Sequence, residues 1–131
     1  MKSHEWQLLI DSALAARNRA YAPYSQFHVG AALMAEDGEV FLGCNVENAS
    51  YGMTNCAEWT AVFTAVAAGQ RQFRAIAIAT SGGHAPCGAC RQVLAEFASD
   101  LVVLLVDAEG TKPIAEMSLR KLLPGKFELP D

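Results

Sequence analysis

Basic residues are scarce in this sequence of 131 residues. It contains ten lysines and arginines and fourteen aspartates and glutamates, which gives a formal net charge of −4 at pH 7. Binding to nucleic acid or to an acidic membrane surface requires a basic patch that neutralises phosphates. The sequence has no P-loop and no cluster of basic residues. The composition therefore argues against nucleic acid and membrane partners and favours a small neutral ligand.

Long apolar runs are absent as well. No run approaches the roughly 20 residues of a membrane-spanning helix, and Glu5 and Asp11 interrupt the stretch where a secretion signal would be apolar. We therefore expect a cytoplasmic protein. With 52% hydrophobic and 18% charged residues, the composition is that of a folded globular chain. A chain of this length buries one core, so we expect a single domain over residues 1–131.

The hydrophobic pattern predicts an alternation of helices and strands. Apolar residues at helical spacing predict an amphipathic helix over about 3–20, which Pro23 prevents from continuing. Two strand-like runs then flank the Asp37-Gly38 pair, a strong hairpin signal. The later elements are a buried helix over 55–68, a strand over 73–80, a helix from Cys87, a strand over 101–107 and a short helix capped by Ser118. This order predicts a mixed sheet with helices on both faces.

Four cysteines occur in the sequence: Cys44, Cys56, Cys87 and Cys90. Without a secretion signal, such cysteines favour metal binding or catalysis over disulfides. Cys87 and Cys90 form a C-x-x-C pair at a predicted helix start, and Cys56 lies at another helix start. The positive ends of two helices would favour thiolates, and three thiolates suit zinc. Catalytic zinc keeps three protein ligands, whereas structural zinc has four.

The candidates for a fourth ligand are weak. Cys44 lies in a predicted strand, where a free cysteine is most often a small buried hydrophobe. His84 lies in a glycine-rich loop and favours a solvent-facing or substrate-side position, while His4 and His28 have no spacing relation to the cysteines. We therefore predict an open site with three cysteines. A redox dithiol remains an alternative interpretation of the C-x-x-C pair.

Glu58 follows Cys56 by two positions at the start of an otherwise apolar helix. One interpretation is a capping box, in which Asn55 caps the helix and Glu58 returns a hydrogen bond to the Asn55 amide. The other is catalytic, since a carboxylate beside a metal-activated water can take its proton and pass it on. With three cysteines available for a metal, we favour the catalytic interpretation.

Ordered motifs extend over nearly the whole chain. Two of them, CAE at 56–58 and PCGAC at 86–90, fit the general signature of zinc deaminases. These two lie within the longer stretches NCAEWTAVFTAV and PCGACRQVLAEF. The other motifs are YAPYSQFHVGAAL, GCNVENASYG and LLPGKF. Together they resemble the small, homotetrameric, zinc-dependent cytidine deaminases. This resemblance implies a three-layer α/β/α fold, with a mixed five-stranded sheet and helices on both faces.

The resemblance also implies a reaction. It is the hydrolytic deamination of cytidine and 2'-deoxycytidine to uridine and 2'-deoxyuridine plus ammonia, a step of pyrimidine salvage. One Zn²⁺ per subunit would be held by Cys56, Cys87 and Cys90. Hydroxide from the metal site would attack C4, with Glu58 as the proton shuttle. The expected protein is thus a hydrolase acting on cyclic amidines, with one catalytic domain over 1–131.

Four further positions match the family's nucleoside contacts. By resemblance, Phe27 would pack on the pyrimidine, and the main chain near Ala57 would meet the polar edge of the base. Asn45 and Glu47 would hydrogen-bond the ribose hydroxyls, a role that suits an amide and an acceptor-only carboxylate. Without the motifs, ordinary core packing would explain Phe27, and a solvated strand end would explain the two polar residues.

Two aromatic residues match positions that reach into a neighbouring subunit. By resemblance, Tyr51 and Phe127 would complete the active site of an adjacent chain in a homotetramer. Trp59 is a departure, because three-cysteine members often carry arginine directly after the catalytic glutamate. Three thiolates on Zn²⁺ leave a net charge of −1, which opposes deprotonation of a bound water. Arg91, next to Cys90, is the side chain that we expect to balance this charge.

Rival functions share parts of this pattern. Deaminases of cytosine nucleoside antibiotics, of the blasticidin S type, also carry C-A-E and P-C-G-x-C-R-Q, but the intact NVENAS stretch at 45–50 favours a free nucleoside. Deaminases that act on RNA or DNA are disfavoured because the sequence has no cluster of basic residues that would form a basic surface. A structural zinc module would need a fourth ligand.

Overall fold

The structure, a computed structural model, describes residues 3–130 and contains one five-stranded sheet. Its elements are α1 (Ser3–Arg17), β1 (Gly30–Ala35), β2 (Val40–Cys44), a 3-10 turn (Tyr51–Met53), α2 (Ala57–Ala67), β3 (Phe73–Thr80), α3 (Gly88–Phe97), β4 (Val102–Asp107), β5 (Ala115–Ser118) and α4 (Leu119–Leu122). The strands lie in the order β2-β1-β3-β4-β5. Strands β3 and β4 are parallel and the other neighbours are antiparallel. The mixed five-stranded sheet is therefore confirmed.

The β1–β2 hairpin turns at Asp37 and Gly38, as the sequence predicts. The Asp37 carboxylate accepts a hydrogen bond from the Glu39 amide at 2.9 Å, and the Ala35 amide donates to the Glu39 carbonyl at 2.8 Å. Gly38 has a φ of 94°, a left-handed conformation that favours glycine because glycine has no Cβ. The turn therefore depends on the Asp-Gly pair.

Different helices cover the two faces of the sheet. Along β3, alternate side chains point to opposite faces. Ala75, Ala77 and Ala79 belong to the buried cluster that includes α1, and Ile76 and Ile78 belong to the cluster that includes α2 and α3. The sheet thus forms the middle of three layers. The predicted α/β/α architecture is confirmed, and the face with α2 and α3 is the one that carries Cys56, Cys87 and Cys90.

Helix α1 ends at Arg17, about three residues before the pattern predicts. The reason is a contact that lies far away in sequence. The Tyr21 amide donates to the Asn45 carbonyl and the Glu47 amide donates to the Tyr21 carbonyl, both at 2.9 Å. Residues 18–20 must leave the helix to allow this pairing. Within residues 3–130, no helix combines the length and the apolar character that crossing a lipid bilayer requires.

Strand β5 is not predicted by the hydrophobic pattern. Its residues Ala115, Glu116 and Met117 are exposed at one edge of the sheet, so they show no alternation of apolar and polar side chains. Ser118 stands before α4 but makes no capping bond there, and its hydroxyl donates instead to Asp100 at 2.6 Å. Ser118 thus holds the predicted N-cap position, but its side chain makes no capping bond.

Candidate active site

Three cysteines meet at the amino-terminal ends of α2 and α3. Cys56 is the residue that precedes α2, Cys87 precedes α3, and Cys90 lies in the first turn of α3. Their sulfur atoms all lie within 4.8 Å of one another, and those of Cys87 and Cys90 are 3.3 Å apart. Within residues 3–130, no histidine, aspartate or glutamate joins this group at the same spacing. The arrangement is an open set of three sulfur ligands.

The chemistry of these thiols fits a soft divalent cation. Hydrogen bonds from the Cys90 and Cys87 thiols lower the pKa of Cys56 to about 7, although burial and the Glu58 carboxylate act in the opposite direction. The pKa of Cys90 is raised, because its thiol is hydrogen-bonded to Cys56 and is buried beside Glu58. The positive helix ends also favour thiolate. Three such sulfurs are a ligand set for catalytic zinc.

Glu58 is buried close to these thiols. It lies in the first turn of α2 and is only 4% exposed. Cys56 rather than Asn55 holds the N-cap position, and no side-chain capping bond forms there, so the capping-box interpretation is wrong. Burial raises the pKa of Glu58, against hydrogen bonds with its own amide and with the Cys90 thiol. A buried carboxyl with a raised pKa is suited to accept and return a proton near neutral pH.

A cavity of about 240 Å³ opens in front of the thiols and Glu58. Phe27 and His84 stand at its mouth, with ring centroids 6.1 Å apart and planes inclined at 49°. The lining consists of Phe27, Val29, Asn45, Thr54, Asn55, Cys56, Ala57, Glu58, Ile78, Thr80, His84, Ala85, Pro86, Cys87 and Cys90. Hence the predicted residues Phe27, Asn45 and Ala57 lie around one hollow, and His84 lines the same hollow.

Asn45 is buried in the wall of this cavity and is 7% exposed. Its Oδ1 accepts a hydrogen bond from the Val29 amide at 2.9 Å, and its Nδ2 donates to the Phe27 carbonyl at 2.8 Å. Both bonds hold the segment that carries the Phe27 ring. The amide nitrogen has a second hydrogen, which leaves one donor for a ligand.

Glu47 lies in a cleft of about 320 Å³ beside the cavity, together with Tyr24, Ser25, Asn48, Tyr51 and Thr54. Its Oε1 accepts from the Tyr24 and Ser25 amides at 3.0 and 3.1 Å, and its Oε2 accepts from the Ser25 hydroxyl. The Ser25 hydroxyl holds the pKa of Glu47 below its usual value. Because Thr54 lines both hollows, the cleft and the cavity adjoin.

The two aromatic residues expected to serve a neighbouring subunit are both exposed. Tyr51 is 76% exposed and lines the cleft of its own chain, with its ring 6.2 Å from that of Tyr24. Phe127 is 68% exposed and lies in the carboxyl-terminal tail, where its carbonyl accepts a hydrogen bond from Gln92 at 3.2 Å. A single chain does not bring Phe127 into the lining of its own cavity.

Arg91 and Trp59 lie close to the cysteines in sequence but have different surroundings. The Arg91 guanidinium donates to the Pro86 and Leu122 carbonyls, both at 2.8 Å. These bonds tie the segment before Cys87 to the end of α4. The indole nitrogen of Trp59 is buried and has no hydrogen-bond partner among the described residues. The ring centroid of Trp59 lies 6.5 Å from that of Phe63, one turn further along the same helix.

Sequence reasoning missed two buried polar residues near the site. Thr80 is 3% exposed and lines the cavity, and Asp107 is 6% exposed. Each residue ends a run of apolar residues that forms a strand. A polar side chain in that position was the available signal, since functional groups often lie where parallel strands end.

Sequence and structure are similar to those of known proteins. A family model described as the cytidine and deoxycytidylate deaminase zinc-binding region matches residues 3–106. A cytidine deaminase of Sporosarcina psychrophila is 52% identical over 126 residues, which cover 94% of this chain and 91% of that protein. A crystal structure of cytidine deaminase from Burkholderia pseudomallei, also 52% identical, matches with a TM-score of 0.87 and covers 97% of this chain and 100% of that one.

Proposed function

Because this chain belongs to the cytidine and deoxycytidylate deaminase family, we propose that it hydrolyses cytidine and 2'-deoxycytidine to the corresponding uridines and ammonia. The observation that carries this proposal is the meeting of three thiols with the buried carboxyl group of Glu58 in one cavity. Two relatives that are 52% and 43% identical to this chain are cytidine deaminases, so the alternative of antibiotic deamination is not favoured.

Cys56, Cys87 and Cys90 would hold one Zn²⁺ in each subunit. When bound, zinc acts as a Lewis acid that lowers the pKa of a water molecule and so supplies a nucleophile at neutral pH. The thiol cluster lies at the amino-terminal ends of two helices, and the partial positive charge of these ends partly offsets the negative charge of three thiolates. Arg91, one residue after Cys90, would contribute the remaining positive charge.

Glu58 would carry the proton. Its carboxylate accepts a proton from the attacking water and delivers it to the ring nitrogen N3 of the pyrimidine. As the bond between C4 and oxygen forms, the double bond between C4 and N3 becomes single, and its electron pair takes this proton. Glu58 then accepts the proton of the new C4 hydroxyl and passes it to the amino nitrogen, whose bond to C4 breaks as the C4 carbonyl forms and ammonia leaves. The burial of Glu58 keeps bulk water away from this transfer and raises the pKa of the group that performs it.

The cavity and the adjoining cleft would bind the two halves of a nucleoside. The pyrimidine lies in the cavity, where Phe27 packs on its face and the backbone at Ala57 meets its polar edge. The ribose lies toward the cleft, where the free hydrogen of the Asn45 amide and the Glu47 carboxylate bond to its hydroxyls. This division is supported by Thr54, which borders both hollows.

The active unit would be a homotetramer of single-domain chains, each spanning 1–131, whose subunits complete one another's sites. Tyr51 and Phe127 support this proposal, because large aromatic side chains exposed to 76% and 68% are typical of contact surfaces. The enzyme would act in pyrimidine salvage in the cytoplasm, without nucleic acid or membrane partners.

A substrate panel tests the proposed function. Ammonia release would be measured from cytidine, 2'-deoxycytidine, cytosine and blasticidin S, with and without a chelator, and after zinc is added back. We expect turnover of the two nucleosides alone, loss of turnover with the chelator, and recovery with zinc. Turnover of blasticidin S without turnover of cytidine, or full activity in protein free of zinc, would contradict the proposal.

A further inference from the structure

Two buried polar residues, Thr80 and Asp107, end the parallel strands β3 and β4. They are paired in register, so both stand at the same edge of the sheet. The loop 81–86 starts at this edge and leads directly to Cys87. Buried polar groups need hydrogen-bond partners, and each of these two residues has a partner in that loop.

The Asp107 carboxylate connects two loops. Its Oδ1 accepts from the Gly82 amide at 2.8 Å and from the Glu109 amide at 3.1 Å. Its Oδ2 accepts from the hydroxyl and the amide of Thr111, at 2.6 and 3.2 Å. These donors, the Thr111 hydroxyl above all, hold the pKa of Asp107 well below its usual value. An ionised carboxylate therefore ties the loop after β3 to the turn after β4.

Thr80 holds the next two residues of the same loop. Its carbonyl accepts from the Gly83 amide at 3.3 Å, and its hydroxyl accepts from the His84 amide at 2.8 Å. Together, Thr80 and Asp107 bind three successive amides, those of residues 82, 83 and 84. The backbone of this loop is thus fixed from both strand ends.

The fixed backbone determines where the His84 ring stands. Gly82 and Gly83 have φ angles of 96° and 68°, so the chain turns back on itself. The His84 ring then lies over Gly82, where an added Cβ would come within 2.9 Å of the His84 Nε2. On its other side the ring stands 6.1 Å from Phe27 at the cavity mouth. A shift of Gly82 would therefore displace one side of that mouth.

We propose that Asp107 is a positioning residue for substrate binding. Through the Gly82 amide it holds the loop 81–84 so that His84 confines the pyrimidine base against Phe27. Asp107 does this from outside the cavity lining, which includes Thr80 and His84 but not Asp107. The inference rests on the proposed function, because it assigns the cavity mouth to a nucleoside base.

Four single variants of the zinc-loaded enzyme, and then a double variant with His84→Ala, test this role. Asp107→Ala removes the acceptor for Gly82, while Asp107→Asn keeps an oxygen that can accept from that amide. Thr111→Val is the matched control, because it removes a donor to the same carboxylate and leaves the contact with Gly82. Thr80→Val removes the acceptor for the His84 amide at nearly constant volume. The measurements are kcat, KM for cytidine, zinc content, and hydrogen exchange of the segment 81–86.

We expect Asp107→Ala to raise KM about ten-fold, the scale of one lost hydrogen bond to a charged group, with a smaller change in kcat and with zinc retained. Asp107→Asn should restore KM, and Thr111→Val should lower stability while leaving KM unchanged. Hydrogen exchange over 81–86 should accelerate in Asp107→Ala and Thr80→Val but not in Thr111→Val. In a His84→Ala background, Asp107→Ala should add little to KM, because Asp107 acts through His84.

The inference is wrong if Asp107→Ala leaves KM unchanged, or if Thr111→Val raises KM as much. Additive effects of His84→Ala and Asp107→Ala on KM would likewise overturn it. If Asp107→Ala does not fold, Thr80→Val decides, because unchanged KM and unchanged exchange over 81–86 in that variant contradict the proposal. A wild-type enzyme that deaminates no nucleoside would instead refute the proposed function, and the exchange measurement would still test the hold on the loop.

Discussion

Glu58 combines two properties that rarely occur together in a glutamate. It lies in the first turn of a helix, and it is almost wholly buried in the wall of a cavity beside three thiols. A carboxyl group in such a place serves either stability or chemistry. No side-chain capping bond forms at the N-cap residue Cys56, which removes helix capping as an explanation. We therefore propose that Glu58 transfers protons.

Glu58→Gln separates this assignment from a structural role. Glutamine has nearly the same shape but cannot carry the proton, so kcat should fall by roughly 10²- to 10⁴-fold. Zinc content should remain at the wild-type level, because Glu58 does not belong to the group of three sulfurs. Glu36→Gln, at an exposed position, is the control and should keep full activity. Loss of zinc in Glu58→Gln, or undiminished turnover, would refute the assignment.

Asp107 makes stability depend on pH. Its pKa is lowered in the folded protein, so its ionised form stabilises the fold at pH values above the unfolded pKa of about 3.8. This contribution is lost as the pH falls through the lower folded pKa. We expect Asp107→Asn to be less stable than the wild type at pH 7, and the difference to shrink steadily below pH 3.8. Urea unfolding of both metal-free proteins over this range measures it, and a difference independent of pH would contradict the expectation.

At the scale of elements, strand β2 and helix α2 approach so closely that only glycine fits between them. A Cβ at Gly43 would come within 2.2 Å of the Ala57 carbonyl and 2.5 Å of the Ala61 amide. This contact sets the position of the first turn of α2, which carries Glu58 and follows Cys56. The strand thus supports the site without contributing a side chain to it.

Gly43→Ala should therefore disturb both fold and site. We expect a loss of roughly 1–3 kcal/mol in the free energy of unfolding, typical of an overpacked contact, together with weaker zinc binding. Gly52→Ala is the matched control, since an added Cβ there meets nothing within 4 Å. Chemical denaturation and a zinc competition assay measure the two effects. Equal behaviour of the two variants would show that the contact with α2 is not limiting.

Arg91, in helix α3, is the residue that we propose balances the negative charge of the three thiolates. If Arg91 balances the charge of the thiolates, Arg91→Ala should weaken zinc binding and shift the pH–rate profile to higher pH, because a positive charge one residue after Cys90 is lost. Arg91→Lys distinguishes charge from structure, since lysine keeps the charge but not the paired bonds to Pro86 and Leu122. Recovery in Arg91→Lys supports charge balance. If Arg91→Ala changes neither zinc affinity nor the pH–rate profile, the hypothesis fails.

Elements that bury an apolar face were predictable from the sequence, and those formed by distant contacts were not. The β1–β2 hairpin, α2, β3 and β4 all follow from local patterns that report burial or turning. Strand β5 is exposed at a sheet edge, and the end of α1 depends on pairing between Tyr21 and the segment 45–47. Neither strand β5 nor the end of α1 can therefore be predicted from a local sequence pattern.

The same distinction applies to the site. Cys87 and Cys90 are related by local spacing, and the helix start at Cys56 marks the third sulfur, so all three were predicted as a group. The bond between Gly82 and Asp107 spans 25 residues and leaves no local signature. The contact that fixes the loop before Cys87 therefore became visible only in the folded chain.

At the scale of the whole molecule, the proposed sharing of active sites can be tested by mixing two defects. Phe127→Ala should lower kcat/KM without unfolding the chain, since the side chain is 68% exposed. Glu58→Gln alone should keep at most about a hundredth of the wild-type kcat. In co-expressed mixed oligomers, a site with Glu58 from one chain and Phe127 from the next would be complete, so activity should exceed that of either variant alone. A mixture no more active than its components would exclude shared sites.

The packing behind the three thiols also bears on how the enzyme matures. Helices α2 and α3 are anchored by Ala61, Val62 and Leu94, all fully buried in the core between helices and sheet. Core packing thus holds the two helices in place, whereas zinc fingers need the ion to fold. We therefore expect the folded chain to bring the three thiols together before zinc binds. In a cell, the number of working enzymes would then follow the supply of zinc as well as the rate of translation.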